Sequence, residues 1–369
     1  MPRLTGARRS VLLWLALVLA PLAAMAQSAS SPVLRPPPIS VAVPRLSGRL
    51  HAADIGLVIN TADPYSVAVG AYYAEARKLA PEQVLRLELP RQAVISPDQF
   101  EALRAAIARH FGAGTQALAL AWVEPYAVAC NSITGALALG FDAELCHSSC
   151  AASRLSPYFN SVWSRPNSDL GLRPSMLLAA RDVAQARALI ERGVAADNTL
   201  GLRGAPPASA LFIETTDKAR NVRAPLFPPA GPLGGAARSG VTVERQVAAE
   251  LRPPPRVVLV QTGSVHLEGL AALDWVPGGL GDHLTSFGGV LADGYGQSTA
   301  LEWIAGGATA SYGTVSEPCS HPQKFPHPQV LLLNYVQGST AIEAYWKSVA
   351  WPQQGLFIGE PLAAPFARR

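Results

Sequence analysis

Residues 257–315 open on VVLVQTGSVH, a short β-branched apolar run that ends in polar residues. A glycine-broken segment follows, GLGDHLTSFGGVLADGYGQ, carrying Asp282, His283, Thr285 and Ser286. STALEWIAGG then reads as a helix and TASYGTVSEP as another strand. Strand, polar loop, helix, strand is the grammar of an α/β unit, in which a cleft forms at the strand ends.

The same grammar recurs upstream. ADIGLVINTADPYS gives a strand over residues 55–59 that delivers Asn60, Thr61, Asp63 and Ser66; VAVGAYYAEARKLA is a helix and QVLRLEL a second strand. Ser96-Pro97-Asp98-Gln99 is a helix start, with Ser96 as cap and Gln99 three residues beyond it. ALALAWVEPY is a continuous apolar run, as expected of a strand buried on both faces. Asp182 caps a helix that Gly193 ends, and ALFIET is a further strand. Thr340 and Glu343 make a capping box for a late helix, and GLFIGEPLAAPF closes the chain.

The ends of the chain and its irregular stretches set the boundaries. Arg3, Arg8 and Arg9 precede an uncharged apolar stretch that ends in Ala24-Met25-Ala26, so residues 1–26 read as a secretory signal peptide. Residues 27–52 are a Pro/Ser-rich lead-in with room for a short strand at 39–43, and residues 53–217 form a first α/β half. Within that half, residues 127–177 lack periodicity and hold three of the four cysteines, a cystine-tied excursion that is either a substrate lid or partner surface or a decoration with structural work only. Residues 218–256 are a bridge rich in Pro, Gly and Ala, and residues 257–369 are a second α/β half.

Charge and motif content exclude several functions. The 30 basic residues include the three leader arginines; without them, 27 face 26 acidic residues, so the basic balance is no nucleic-acid footprint. No later run is long enough for a membrane span, so none is expected after signal cleavage. No phosphate-cradling glycine loop occurs, and no cofactor is expected. Cys130, Cys146, Cys150 and Cys319 are an even set in an exported chain, which favours disulfides of open pairing; a zinc site is the alternative. Export leads to the periplasm or the exterior.

The chemistry expected of the second half rests on His266 at one strand end and Ser286, beside Thr285, at the next. An imidazole there would take the proton of a hydroxyl that attacks an acyl group, with Asp282 nearby and the Gly288–Gly289 turn offering an oxyanion donor. TSFGG is not a nucleophile-elbow motif. Asp274, Asp282, His283, Glu317 and His321, with His266, offer an alternative metal set without a closely spaced ligand triplet. Trp122, Trp275 and Trp303 stand near strand ends and could line a pocket.

Several separated blocks, among them INTADPYS, WVEPYAVACNSIT, LRPSMLLAA and DHLTSFGG, resemble a broadly distributed bacterial family of exported proteins of unknown function over residues 53–366. Residues 257–361 more distantly resemble the catalytic subdomain of gingipain-type cysteine peptidases, which have the caspase-like fold. The resemblance puts His266 at the base position, Ser286 near the nucleophile position and GLFIGEPL at the close. Two departures stand out: Leu267, not glycine, follows the histidine, and the nucleophilic cysteine is missing. The expectation is a mostly parallel α/β sheet with helices on both faces, caspase- and gingipain-like. Its function would be that of a peptidase-like hydrolase using a His/hydroxyl pair, of a non-catalytic binding or assembly protein on a degenerate peptidase fold with a peptide or protein partner, or of a metal-dependent hydrolase.

Overall fold

The computed structural model describes residues 41–234, 239–292 and 295–368. The expected signal peptide, residues 27–40 of the lead-in and the start of its possible short strand lie outside the described residues; residues 41–43 form no strand.

In chain order the strands are β1 (Ile55–Asn60), β2 (Val84–Leu87), β3 (Val94–Ile95), β4 (Ala117–Leu120), β5 (Ala127–Val128), β6 (Asn131–Ser132) and β7 (Ser175–Leu177). They continue as β8 (Ala208–Glu214), β9 (Gly231–Pro232), β10 (Val241–Val247), β11 (Val257–Gly263), β12 (Trp275–Leu284), β13 (Ala310–Thr314) and β14 (Gly355–Gly359). The helices are α1 (Pro64–Ala76), α2 (Pro97–His110), α3 (Ile133–Leu139), α4 (Glu144–His147), α5 (Pro166–Leu170), α6 (Val183–Ala196), α7 (Ala300–Ala305), α8 (Pro328–Val336) and α9 (Ala341–Ser348).

One sheet of eleven strands runs β2-β1-β4-β7-β14-β13-β12-β11-β8-β10-β9, and β3, β5 and β6 make a small second sheet. β2, β1, β4, β7 and β14 are mutually parallel. β13, β12, β11, β8 and β10 are also mutually parallel. The two sets meet at the antiparallel pair β13–β14, so they run in opposite senses. The architecture is therefore a mixed, mostly parallel α/β sheet flanked by helices. The central strands β1, β4, β11, β13 and β14 are buried along their whole length, as continuous apolar runs require.

Local signals hold where they were clear. The Ser96 hydroxyl accepts from the Gln99 amide at 3.2 Å, Asp182 accepts from Gln185 at 2.8 Å, and Thr340 with Glu343 forms the capping box of α9. β12 differs from its glycine-broken reading and is a ten-residue strand. A Cβ on Gly279 or Gly281 would lie 2.4 Å from a ring carbon of Trp275 or Trp303, so these glycines let indoles lie on the strand.

Residues 208–247 supply β8 and β10 to the parallel set that holds β11, β12 and β13, and this set is the second half of the sheet. β8 is hydrogen-bonded between β10 and β11, and the Pro/Gly-rich bridge supplies β9, β10 and the fully buried Arg223. The excursion 127–177 also reaches the core. The Ser132 and Thr134 hydroxyls donate to the Gly355 carbonyl at 2.6 and 2.8 Å, and Gly135 lies against the backbone of Pro352 and Gln353, where a Cβ would not fit. Two disulfides tie the excursion, Cys130–Cys146 and Cys150–Cys319. Among the described residues no helix is long and apolar enough to cross a membrane.

Candidate functional site

In the second half the chain leaves β8 to build β10 on one side and returns to build β11 on the other. Diverging loops at such a reversal leave a crevice outside the carboxyl ends of the strands. A cavity of about 840 Å³ occupies this position. Glu214 to Asp217, at and after the end of β8, line one side, and Ser264 to Gly269, after β11, line the other. Val247, Leu251, Leu270, Leu273 and Trp303 make an apolar wall. Two carboxylates of the crevice are paired: Glu214 with Arg245, and Asp217 with Arg220 at 2.8 Å. Gly263, the last residue of β11, is required by sterics, because a Cβ there would lie 1.9 Å from the Arg220 carbonyl.

His266 lines this crevice and is exposed. Among the described residues its imidazole makes no hydrogen bond. Ser286 follows β12, is half-buried and is not part of the crevice lining. Its carbonyl accepts from the Thr314 hydroxyl at 2.9 Å, and its own hydroxyl has no partner among the described residues. The Gly289 amide donates to the Thr314 carbonyl at 2.9 Å, so that oxyanion donor is already engaged.

Asp282 lies in the core, hydrogen-bonded to Arg223 at 2.6 Å and Gln261 at 2.8 Å rather than to His266. Burial pushes its carboxyl upward, and Arg223 and Gln261 pull against that shift. Arg223 also donates to the carbonyls of Thr262 at 2.9 Å and Pro326 at 3.1 Å, pinning the bridge segment under β11 and β12. Next to Asp282, His283 is fully buried. Its Nδ1 accepts from the Trp303 indole at 2.9 Å, and an indole can only donate, so the ring proton sits on Nε2 and is donated to the Ser298 carbonyl at 3.0 Å. Burial pushes this imidazole down to about 3, which keeps it neutral.

Two consecutive residues organise the neighbouring loops. The Gln297 side-chain oxygen accepts from the Thr285 hydroxyl at 2.6 Å and the Phe287 amide at 3.2 Å, on either side of Ser286. The Ser298 amide donates to the Val265 carbonyl at 2.9 Å, and its hydroxyl accepts from the Leu267 amide at 3.0 Å, on either side of His266. The loops bearing His266 and Ser286 thus share one clamp. Gln297, Ser298 and Arg223 carry no motif that singles them out in the sequence; their partners lie far along the chain or in loops.

Among the described residues no three His, Cys, Asp or Glu side chains are grouped so that they could hold a metal ion. All four cysteines are in disulfides. Of the three tryptophans expected near strand ends, Trp303 lines the crevice, Trp275 packs edge-on against it, and Trp122 is buried with its indole donating to the Pro125 carbonyl.

No family model and no curated protein matches the chain. Among solved structures it is distantly similar to the complex of Porphyromonas gingivalis RgpB pro- and mature domains, at 9% identity over 86% of this chain and 80% of that chain, with a TM-score of 0.39.

Proposed function

We propose that the crevice between β8 and β11 binds a peptide or protein segment and does no covalent chemistry. The observation that carries this reading is the state of the groups a hydrolase would need. Asp282 is bound to Arg223, His283 is held neutral between Trp303 and Ser298, and the His266 ring has no orienting partner among the described residues. A serine hydroxyl needs an adjacent, oriented base to become a nucleophile.

What remains suits binding. The wall is apolar, Glu214 and Asp217 are already neutralised by arginines, and Glu268, the third carboxylate of the lining, is exposed and stays in water, so an apolar side chain can be buried against the wall without stranding a charge. β9 pairs only with Thr242 and Val243 of β10. Past them the outer edge of β10 carries no strand among the described residues, and Val247 at its end lines the crevice. An extended segment added to that edge would lay alternate side chains toward the apolar wall. The expected leader and the two cystines support an oxidising location, in the periplasm or outside the cell.

A second reading keeps the hydrolase, with His266 as base toward Ser286. The shared Gln297–Ser298 clamp favours it, because one device fixes both loops. Active-site labelling separates the two. A fluorophosphonate is expected to leave no adduct at Ser286 by intact mass, while a peptide array gives binding that Leu267→Asp removes. A single adduct at Ser286, lost in His266→Ala, would overturn the binding reading. An array without binding would sink it as well.

A further inference from the structure

The first half has its own reversal. The chain leaves β1 to build β2 on one side and then builds β4 on the other. A second cavity, of about 700 Å³, lies outside the carboxyl ends of these strands. Asp63 and Tyr65 follow β1, Glu124 follows β4, Arg181 follows β7, and Arg91 comes from the segment after β2. The far wall is the segment leading into α7, with Tyr295 and Gln297, and the first turn of α7, with Glu302.

Several of these groups are already used. Glu302 accepts from the Ser298 hydroxyl at 2.7 Å and the Thr299 amide at 3.1 Å. Asp63 caps α1 through the Tyr65 amide at 3.1 Å, and Asp182 caps α6, so the amino ends of those helices are not free to receive an anion. The Tyr65 hydroxyl donates to the Leu178 carbonyl at 2.9 Å and accepts from the Ala180 amide at 2.8 Å.

Other groups are left over. Among the described residues the Arg181 guanidinium and the Glu124 carboxylate have no partner. Arg91 has only Asp63, at 3.9 Å. The Gln297 side chain uses its oxygen and keeps its amide hydrogens. A bare anion would meet Arg181 and Arg91 but also the charge of Glu124. A neutral ligand would leave both guanidiniums unmatched. The set is complementary to a molecule with a carboxylate at one end, read by the planar guanidinium fork, and N–H or O–H donors at the other, facing Glu124. The volume is that of a small-molecule site.

We propose that the crevice between β1 and β4 binds a small organic acid whose carboxylate pairs with Arg181 and Arg91 and whose ammonium or hydroxyl donors meet Glu124. An amino acid and a sugar acid share this chemistry. Calorimetric titration of the purified full chain with L-alanine, D-glucuronate and acetate, at matched ionic strength, tests it and separates the two sources. Saturable binding of L-alanine or D-glucuronate is expected, with acetate about tenfold weaker or more. Arg181→Ala is expected to weaken the bound probe about tenfold, and Arg91→Ala serves the same purpose should the first variant not fold. Equal binding of acetate, no binding of either larger probe, or affinity unchanged in both arginine variants would overturn the proposal. Leu267→Asp, in the other crevice, is expected to leave this binding intact, so failure here is distinguishable from failure of the peptide reading.

Discussion

The crevice between β1 and β4 and the crevice between β8 and β11 occupy the same topological place in two parallel halves that run in opposite senses. They are furnished in opposite ways. In the second half two of the three lining carboxylates, Glu214 and Asp217, are paired with arginines, Glu268 is exposed, and the wall is apolar. In the first half Arg181 and Glu124 have no partner among the described residues, and the lining is mostly polar. Backbone topology decides where a crevice opens; side-chain pairing decides what it can take. A site whose charges cancel internally can bury apolar surface at little desolvation cost, whereas unpaired charges stay hydrated until a complementary ligand replaces the water. The segment from Gln297 to Trp303 stands between them: Gln297 and Glu302 face the first crevice and Trp303 the second.

The largest expected effect comes from breaking the buried pair beneath the second crevice. Arg223→Ala should destabilise the protein by about 3–5 kcal/mol in urea denaturation, because it leaves the Asp282 carboxylate unpaired in the core. Pairing Arg223→Met with Asp282→Leu should recover most of that loss. A single variant as stable as the parent would mean that the pair does not hold the bridge in place.

Acid should weaken the protein through the same region. His283 is pushed from an ordinary 6.5 down to about 3, and His327 from 6.5 to about 4, both by burial. Below pH 6.5 the unfolded chain binds these protons first, so stability falls with pH from about 6.5 until the folded-state values are passed. His283 alone contributes up to about 1.4 kcal/mol per pH unit in that window. Denaturation midpoints at pH 7 and pH 4 check this, and His283→Gln should flatten the difference.

Smaller effects divide the crevices. Ser298→Ala removes the acceptor of the Leu267 amide and should cost about 1–2 kcal/mol. Hydrogen exchange should then quicken in residues 264–268 while β1 and β4 stay protected. Arg181→Ala should leave the denaturation midpoint unchanged and alter only ligand affinity, since that side chain is exposed and holds nothing else in place.

Much of the first half was legible in order. β1 and β4 are continuous apolar runs, and Ser96 and Asp182, like Thr340 in the second half, announce their helices through side chains that reach only three residues. The rule that polar residues at strand ends mark a cleft found Asp63, and it would have found Arg181 had SML been taken as a strand. That strand, β7, spans three residues, too short for any period to show. β12 was hidden because its glycines weaken strand propensity; they are there for Trp275 and Trp303, whose contacts no local pattern records. His266 and Ser286 were visible as ends of neighbouring strands, but the clamp that flanks both is not.

By itself the sequence determined the α/β class, the apolar strands, the helix caps and an even set of cysteines. These depend on period, on near neighbours and on composition, all of which are written locally. Only the tertiary structure decided which cysteines pair and that the bridge belongs to the sheet. It alone decided that Asp282 meets Arg223 instead of His266, and that the crevices differ in charge. Those outcomes depend on contacts between residues tens to hundreds of positions apart, such as Arg223 with Asp282 and Cys150 with Cys319. Burial makes such contacts decisive, because a charge or polar atom removed from water must be paired by whatever the fold brings to it.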